Sequence, residues 1–209
     1  DGDDEVIGGN GSDTVYGGAG DDAVGGGAGA DYVYGHDGND GVYGGAGNDL
    51  VMGENGNDYL NGEEDDDGVY GGDGDDTMDG GSGNDWLEGG NGSDWITGGT
   101  GVDGLTGGAG VDYFVFATLS ASGVGSGNRD WVYDFTQGTD KIDISGIVSS
   151  LTLIGGSAFS GTSSPEARWF TDSGHTVLSI DSDGNATADI EIQFANTTTL
   201  SFTGTDFLV

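Results

Sequence analysis

An aspartate recurs every nine residues, thirteen times without an insertion: Asp4, Asp13, Asp22, Asp31, Asp40, Asp49, Asp58, Asp67, Asp76, Asp85, Asp94, Asp103 and Asp112. Two residues after each acid stands an apolar side chain: Val6, Val15, Val24, Val33, Val42, Val51, Leu60, Val69, Met78, Leu87, Ile96, Leu105 and Phe114. Glycines precede the acid, as in Gly44-Gly45-Ala46-Gly47-Asn48-Asp49-Leu50-Val51-Met52 and Gly80-Gly81-Ser82-Gly83-Asn84-Asp85-Trp86-Leu87-Glu88. Such a unit offers oxygen donors: one carboxylate, and backbone carbonyls that glycine can turn inward because it accepts φ > 0. That donor set suits a hard divalent cation rather than a soft metal.

The elements that must position these oxygens follow from the period. The first six positions of each unit make a turn. The last three make a short strand with its middle side chain inward, since side chains alternate along a strand. A strand so short cannot fold alone. Stacking successive units at about 4.8 Å buries the apolar column and completes the hydrogen-bonded ladder, so the repeat decides the fold.

The unit G-G-x-G-x-D-x-U-x resembles the RTX, or hemolysin-type, calcium-binding nonapeptide. The resemblance covers residues 1–116 and implies an all-β fold, a right-handed parallel β-roll with two repeats per turn and calcium between successive loops on each side. Same-side loops lie two repeats apart, so the thirteen aspartates form eleven pairs, from Asp4/Asp22 to Asp94/Asp112. The same resemblance implies backbone ligands from the glycine turns, among them Gly44, Gly45 and Gly47; Gly71, Gly72 and Gly74; Gly80, Gly81 and Gly83; and Gly89, Gly90 and Gly92. Eleven calcium ions would offset 22 of the 27 acids in residues 1–116, leaving five. Without them, self-repulsion and unpaired carboxylates unfold the roll. Extracellular calcium modules bind at about 10⁻⁴ to 10⁻³ M, so folding is expected to follow export.

Four residues break the pattern. His36, Glu54 and Glu63 replace the second glycine, and Asp65 replaces the fourth-position glycine of its unit. A β-carbon resists φ > 0, so the Asp65 loop is expected to be distorted, with an extra carboxylate ligand as the alternative.

The residues flanking each core position face outward. One side presents Thr14/Tyr16, Tyr32/Tyr34, Leu50/Met52, Gly68/Tyr70, Trp86/Glu88 and Gly104/Thr106, seven of them bulky and apolar or aromatic. Cross-strand ladders of this kind stabilise a sheet. A contiguous apolar patch equally fits an interface: through the Tyr16/Tyr34/Met52/Tyr70 side with another copy, with an N-terminal effector domain, or with a glycan stacked on the rings.

A boundary near residue 116 follows from composition. Residues 1–116 hold 37 of the 48 glycines and no Lys or Arg, whereas 117–209 hold Arg129, Lys141 and Arg168. Alternating runs at 131–135, 141–144, 176–180, 190–194 and 199–202 read as strands of a β-rich, sandwich-like cap. This segment is similar to the C-terminal domain of serralysin-type (M10) metalloproteases and other type I-secreted proteins. The likeness rests on Asp112–Phe116, Arg129–Phe135 and Gly138–Ser145. It implies a last calcium using three aspartates, of which Asp130 and Asp140 match two; Ser120-Ala121-Ser122 stands where the third belongs. Asp206-Phe207-Leu208-Val209 resembles the family's C-terminal secretion signal, and also fits an ordinary final strand. Asp181-x-Asp183-x-Asn185 with Asp189 resembles a calcium loop but lacks the later glycine and terminal glutamate of an EF-hand, which favours a metal-free turn.

The chain carries 38 acids against three basic residues, a formal charge of −35, and no cysteine. Nucleic acid and anionic membrane surfaces are excluded as partners. No apolar run approaches a membrane span, and neither disulfides nor cysteine metal sites are available. High charge with low hydrophobicity predicts disorder, unless the charge is patterned and neutralised by a ligand, as here. The chain starts in mid-pattern at Asp1 without a signal peptide, as a truncated or processed end would. The serralysin signature H-E-x-x-H is absent, His36 and His175 stand far apart, and no G-x-S-x-G occurs. The expectation is a non-enzymatic, secreted calcium module that serves type I secretion and calcium-triggered folding. A self-assembling extracellular subunit and a carbohydrate-binding module are the alternatives.

Overall fold

The computed structural model describes residues 2–195 and 200–209. Its described residues form two sheets. The nine-stranded sheet runs β1 (Glu5–Asn10), β3 (Ala23–Ala28), β5 (Gly41–Ala46), β7 (Tyr59–Glu64), β9 (Thr77–Ser82), β11 (Trp95–Thr97), β13 (Tyr113–Val115), β15 (Lys141–Asp143) and β20 (Phe207–Leu208). The eleven-stranded sheet begins with β2 (Thr14–Ala19), β4 (Tyr32–Asp37), β6 (Leu50–Asn55), β8 (Gly68–Asp73), β10 (Trp86–Asn91) and β12 (Gly104–Ala109). It continues through β14 (Asp130–Val132), β19 (Ile190–Phe194), β18 (His175–Asp181), β17 (Glu166–Asp172) and β16 (Thr152–Gly155).

The molecule is a parallel β-roll. Successive repeats alternate between the sheets, and each residue pairs in parallel with the one 18 positions on, as Val6 with Val24 and Val15 with Val33. From Val24 to Phe114 the inward residue of every repeat is at most 1% exposed. Fully burying a side chain of this size stabilises by about 1.5–3 kcal/mol, so the column is the main cohesive element of the roll.

Most strands of the roll are six residues long, twice the expected triplet. The ladder passes through the glycine pair: only the first glycine leaves it, and the second pairs again, as Gly9 with Gly27. Close stacking demands glycine there. Gly45 has φ 115°, and a Cβ on it would lie 2.0 Å from the carbonyl oxygen of Gly27.

The C-terminal segment adds strands to both layers of the roll. β14 pairs with β12 and β19, and β15 pairs with β13 and β20, all in parallel; β17, β18 and β19 are antiparallel. Buried Arg129 binds the segment together, with Nε and Nη2 donating to Glu191 Oε2 at 2.9 and 2.8 Å and Nη1 to Asp172 Oδ2 at 2.7 Å. The expected strand at 199–202 is not one: Leu200–Phe202 have no strand pairing, although Leu200 and Phe202 still pack into the core, and Thr199 lies outside the described residues. Strands β16 and β17 have no clean alternation in the sequence and were not expected.

Candidate metal centre

The repeat aspartates stack in two columns, one at each edge of the roll. Asp4, Asp22, Asp40, Asp58, Asp76, Asp94 and Asp112 form one; Asp13, Asp31, Asp49, Asp67, Asp85 and Asp103 form the other. Within each column Oδ1 accepts the backbone N–H of the aspartate one turn earlier, at 2.7–3.2 Å in all eleven steps. Two further steps follow. Asp103 N–H donates to Asp130 Oδ1 at 2.9 Å, and Asp112 N–H to Asp140 Oδ1 at 3.3 Å. Asp130 thus extends one column and Asp140 the other.

The other carboxylate oxygen has no such partner. Oδ2 of Asp13, Asp22, Asp31, Asp40, Asp49, Asp58, Asp67, Asp76, Asp85, Asp94, Asp103 and Asp130 is buried without a hydrogen bond. In the eleven repeat aspartates among these, from Asp13 to Asp103, Oδ2 points at the first glycine of its own repeat. A Cβ on Gly44 would sit 2.7 Å from Asp49 Oδ2 and 2.7 Å from the carbonyl oxygen of Gly62, one turn on; Gly71 repeats this with Asp76 Oδ2 at 2.3 Å and Gly89 O at 2.5 Å. A small cradle lined by oxygens of both kinds thus recurs along each edge. Of the glycines singled out in the sequence, Gly44, Gly71, Gly80 and Gly89 stand at these cradles. Their second and fourth-position companions, such as Gly45, Gly47, Gly72, Gly74, Gly81, Gly83, Gly90 and Gly92, hold the positive φ of the turn.

Several donors of the turn are engaged with the neighbouring turns. Gly29 N–H donates to Ala46 O, Asp31 N–H to Asp49 Oδ1, and Tyr32 N–H to Asp13 O. The fifth position supplies a second ladder that sequence reasoning missed. Asp21 Oδ1 accepts from Asn39 N–H, Asn39 Oδ1 from Asn57 N–H, Asn57 Oδ1 from Asp75 N–H and Asp75 Oδ1 from Ser93 N–H. Its signal was the recurrence of Asp, Asn and Ser directly before the repeat aspartate.

Electrostatics disfavours this arrangement in the absence of a cation. Burial pushes the carboxyls of Asp58, Asp94, Asp103 and Asp112 up to about 6, of Asp76 and Asp85 to about 7, and of Asp67 and Asp130 to about 8. The N–H on Oδ1 opposes the shift and neighbouring carboxylates add to it. Buried, unpaired like charges are costly. An oxygen-only set of carboxylates and carbonyls meets the requirements of calcium.

The pattern breaks are absorbed. His36, Glu54, Glu63 and Asp65 take φ of 81°, 79°, 78° and 75°. The expected distortion at Asp65 is absent: the ladder beside it stays in register, Glu64 opposite Ser82, and the residue adopts the left-handed conformation in spite of its β-carbon. His36 Nδ1 meets Glu54 Oε2 at 2.8 Å.

The Asp181, Asp183 and Asp189 carboxylates lie within 4.8 Å of one another. Asp181 is already engaged by the N–H groups of Gly184, Asn185 and Ala186. On the outer face, rings lie across glycines: a Cβ on Gly68 would meet Tyr70 at 3.2 Å, and one on Gly104 would meet Trp86 at 2.7 Å. Tyr16 and Tyr34 stack at 5.1 Å. Asp206 is buried, accepting from Gly138 and Thr203 N–H, and Phe207–Leu208 pair with β15.

Fold and site together define a calcium-binding RTX β-roll. The chain belongs to the family described as Peptidase M10 serralysin C terminal, whose model matches residues 2–209; this is the non-catalytic C-terminal part of serralysin-type proteins. It is similar to the AlgE6R3 subunit of the mannuronan C5-epimerase of Azotobacter vinelandii, at 28% identity over 70% of this chain and 80% of that one, with a TM-score of 0.55. The AlgE6R2 subunit of the same enzyme gives 25% identity over 78% and 89%, with a TM-score of 0.46. No curated protein matches. No described helix is long and apolar enough to cross a membrane.

Proposed function

We propose that this chain is the export and folding module of a secreted protein, kept open by its own charge inside the cell and closed by calcium outside. The observation that carries the reading is the row of buried Oδ2 atoms without partners, one per turn on each edge. Each stacked aspartate pair, from Asp4/Asp22 to Asp94/Asp112, is a candidate site, and Asp103/Asp130 and Asp112/Asp140 extend the series into the C-terminal segment. Calcium, when bound, supplies the positive charge that lets these carboxylates remain ionised inside the fold.

The chain's own groups do the rest. Oδ1 clasps each turn to its predecessor, Oδ2 and the glycine carbonyls face the cradle, and the apolar column closes behind them. The aspartates of each turn serve the N–H groups of the turn before, so the C-terminal segment completes the last repeats through Asp130 and Asp140. Asp206–Val209 serve as the signal read by a type I secretion apparatus while the chain is unfolded, since the folded form buries Asp206 and pairs Phe207–Leu208 with β15. The module thus acts extracellularly, and any catalytic or adhesive activity belongs to an N-terminal effector domain.

The test is far-ultraviolet circular dichroism of the purified chain in millimolar calcium and in excess chelator. Ordered β signal in calcium and its loss in chelator is the expected result at neutral pH. An unchanged spectrum would falsify the proposal.

A further inference from the structure

We infer that a trough on the outer face of the nine-stranded sheet is a docking site for an extended, basic polypeptide segment of a partner protein. The trough holds about 290 Å³ over β3, with Gly25 and Gly27 as its floor and Ile7 and Tyr43 as its walls. Ile7 is 68% and Tyr43 38% exposed, and Tyr43 is braced by Tyr59 at 5.9 Å. Past Gly27 it continues into a second hollow beside Glu63 and Glu64. Two departures from the repeat shape it, in opposite directions. Gly25 is a glycine that the backbone does not require: its φ is not positive, and a Cβ there would meet Ile7 Cγ1 at an ordinary 3.9 Å. The residues stacked in its column, Ile7, Tyr43, Asn61, Asp79 and Thr97, all carry side chains. Glu63 is an acid where the backbone favours glycine, at φ 78° between Gly45 and Gly81. Strained residues of this kind collect at ligand sites.

Charge selects the occupant. Glu5 stands at one end of the trough, and Glu63 and Glu64 at the other. The ion pairs among the described residues, His36–Glu54, Arg129–Asp172 and Arg129–Glu191, leave these three carboxylates free. An apolar floor between two acidic ends is complementary to apolar side chains flanked by lysine or arginine, and repels an anion. The ends are far apart. Glu63 is in register with Gly9, four residues past Glu5, and lies three strands across from it. That is about 13 Å along the strands and about 14 Å across them, or about 20 Å corner to corner. A small amine cannot span this distance. An extended chain advances about 3.4 Å per residue, so it meets both ends with basic residues about six positions apart. Residues at even spacing share one face of such a chain, which sets the apolar side chains between the two bases over Gly25.

Isothermal titration calorimetry in millimolar calcium and about 0.15 M salt, which screens the general charge of the chain, tests this. The probe is the acetylated and amidated heptapeptide Lys-Thr-Leu-Thr-Leu-Thr-Lys. Saturable binding of one peptide per chain is expected, and distinctly weaker binding of the rearranged Lys-Lys-Thr-Leu-Thr-Leu-Thr, which has the same charge and composition. Gly25→Val, which fills the trough, should weaken binding about tenfold or more, as expulsion of a buried leucine would. Glu63→Gly, which restores the repeat, should weaken it about two- to fivefold, the range for an exposed ion pair. Glu88→Gln, on the outer face of the eleven-stranded sheet, also removes one charge and should leave binding unchanged. Circular dichroism in calcium verifies that each variant folds; if Gly25→Val does not, Tyr43→Ala removes a wall in its place. No binding of the first peptide, equal binding of the two peptides, or binding that Gly25→Val leaves intact overturns the inference. So do equal effects of Glu63→Gly and Glu88→Gln, which would mark general attraction to an acidic chain. None of these results depends on whether the chain serves secretion.

Discussion

The backbone N–H of Asp103 donates to Oδ1 of Asp130 at 2.9 Å across 27 residues, whereas every earlier step of that column spans 18. The aspartate ladder therefore leaves the repeat and finishes in a segment that has none. Asp130 is fully buried, its Oδ2 has no hydrogen-bond partner, and Ser122 Oγ lies 2.8 Å from its N–H, so the closing residue is held from both sides.

Asp130→Ala should raise the calcium concentration needed for folding by about tenfold or more, since loss of groups around a metal site typically costs 10–100-fold in affinity. Asp4→Ala, on the exposed first turn, should move it far less. Calcium titrations followed by circular dichroism decide the matter, and equal midpoints for the two variants would remove any special role for the closing rung.

Metal-free stability should fall as pH rises. The raised carboxyls, from about 6 at Asp58 to about 8 at Asp67 and Asp130, lie above the unfolded value of roughly 3.9. The folded chain then binds more protons than the unfolded one. This contribution is fully present below about pH 4 and is lost as pH climbs through 6 to 8. A chelated sample should gain β signal on acidification from pH 8 to pH 5, and calcium added near pH 7 should release protons. A chelated chain equally ordered at both pH values contradicts this.

Leu60→Ala should cost about 2–5 kcal/mol in calcium, the range for emptying a buried leucine site. Leu60 is fully buried between Val42 and Met78, so neighbouring turns cannot easily collapse into the gap. Denaturant unfolding in calcium measures it; a loss below about 1 kcal/mol would mean that the column contributes little.

Asp65→Gly should stabilise the roll by about 1–2 kcal/mol, because a β-carbon in the left-handed conformation costs about that much. It also removes a charge that raises the carboxyls of Asp49 and Asp67. The calcium midpoint should stay the same or fall. A higher midpoint would instead make Asp65 a ligand.

Within the repeat, residues 1–116 were legible because one period sets everything: the inward Val51 and Leu60, the stacked Asp49 and Asp67, and the glycine cradles between them follow from an 18-residue turn. The fifth-position ladder obeyed the same period and was overlooked, since Asp, Asn and Ser before an aspartate resemble ordinary loop polarity. Past Phe116 no period exists, and local pattern could not choose partners. Pairing of Asp130 with Asp103, of Arg129 with Glu191, and of Phe207 with Ile142 depends on contacts between residues 27 to 65 apart. Those were decided by which strands could bury Phe194 and Phe202 against the end of the roll, a matter of three-dimensional packing that alternation along the chain does not encode.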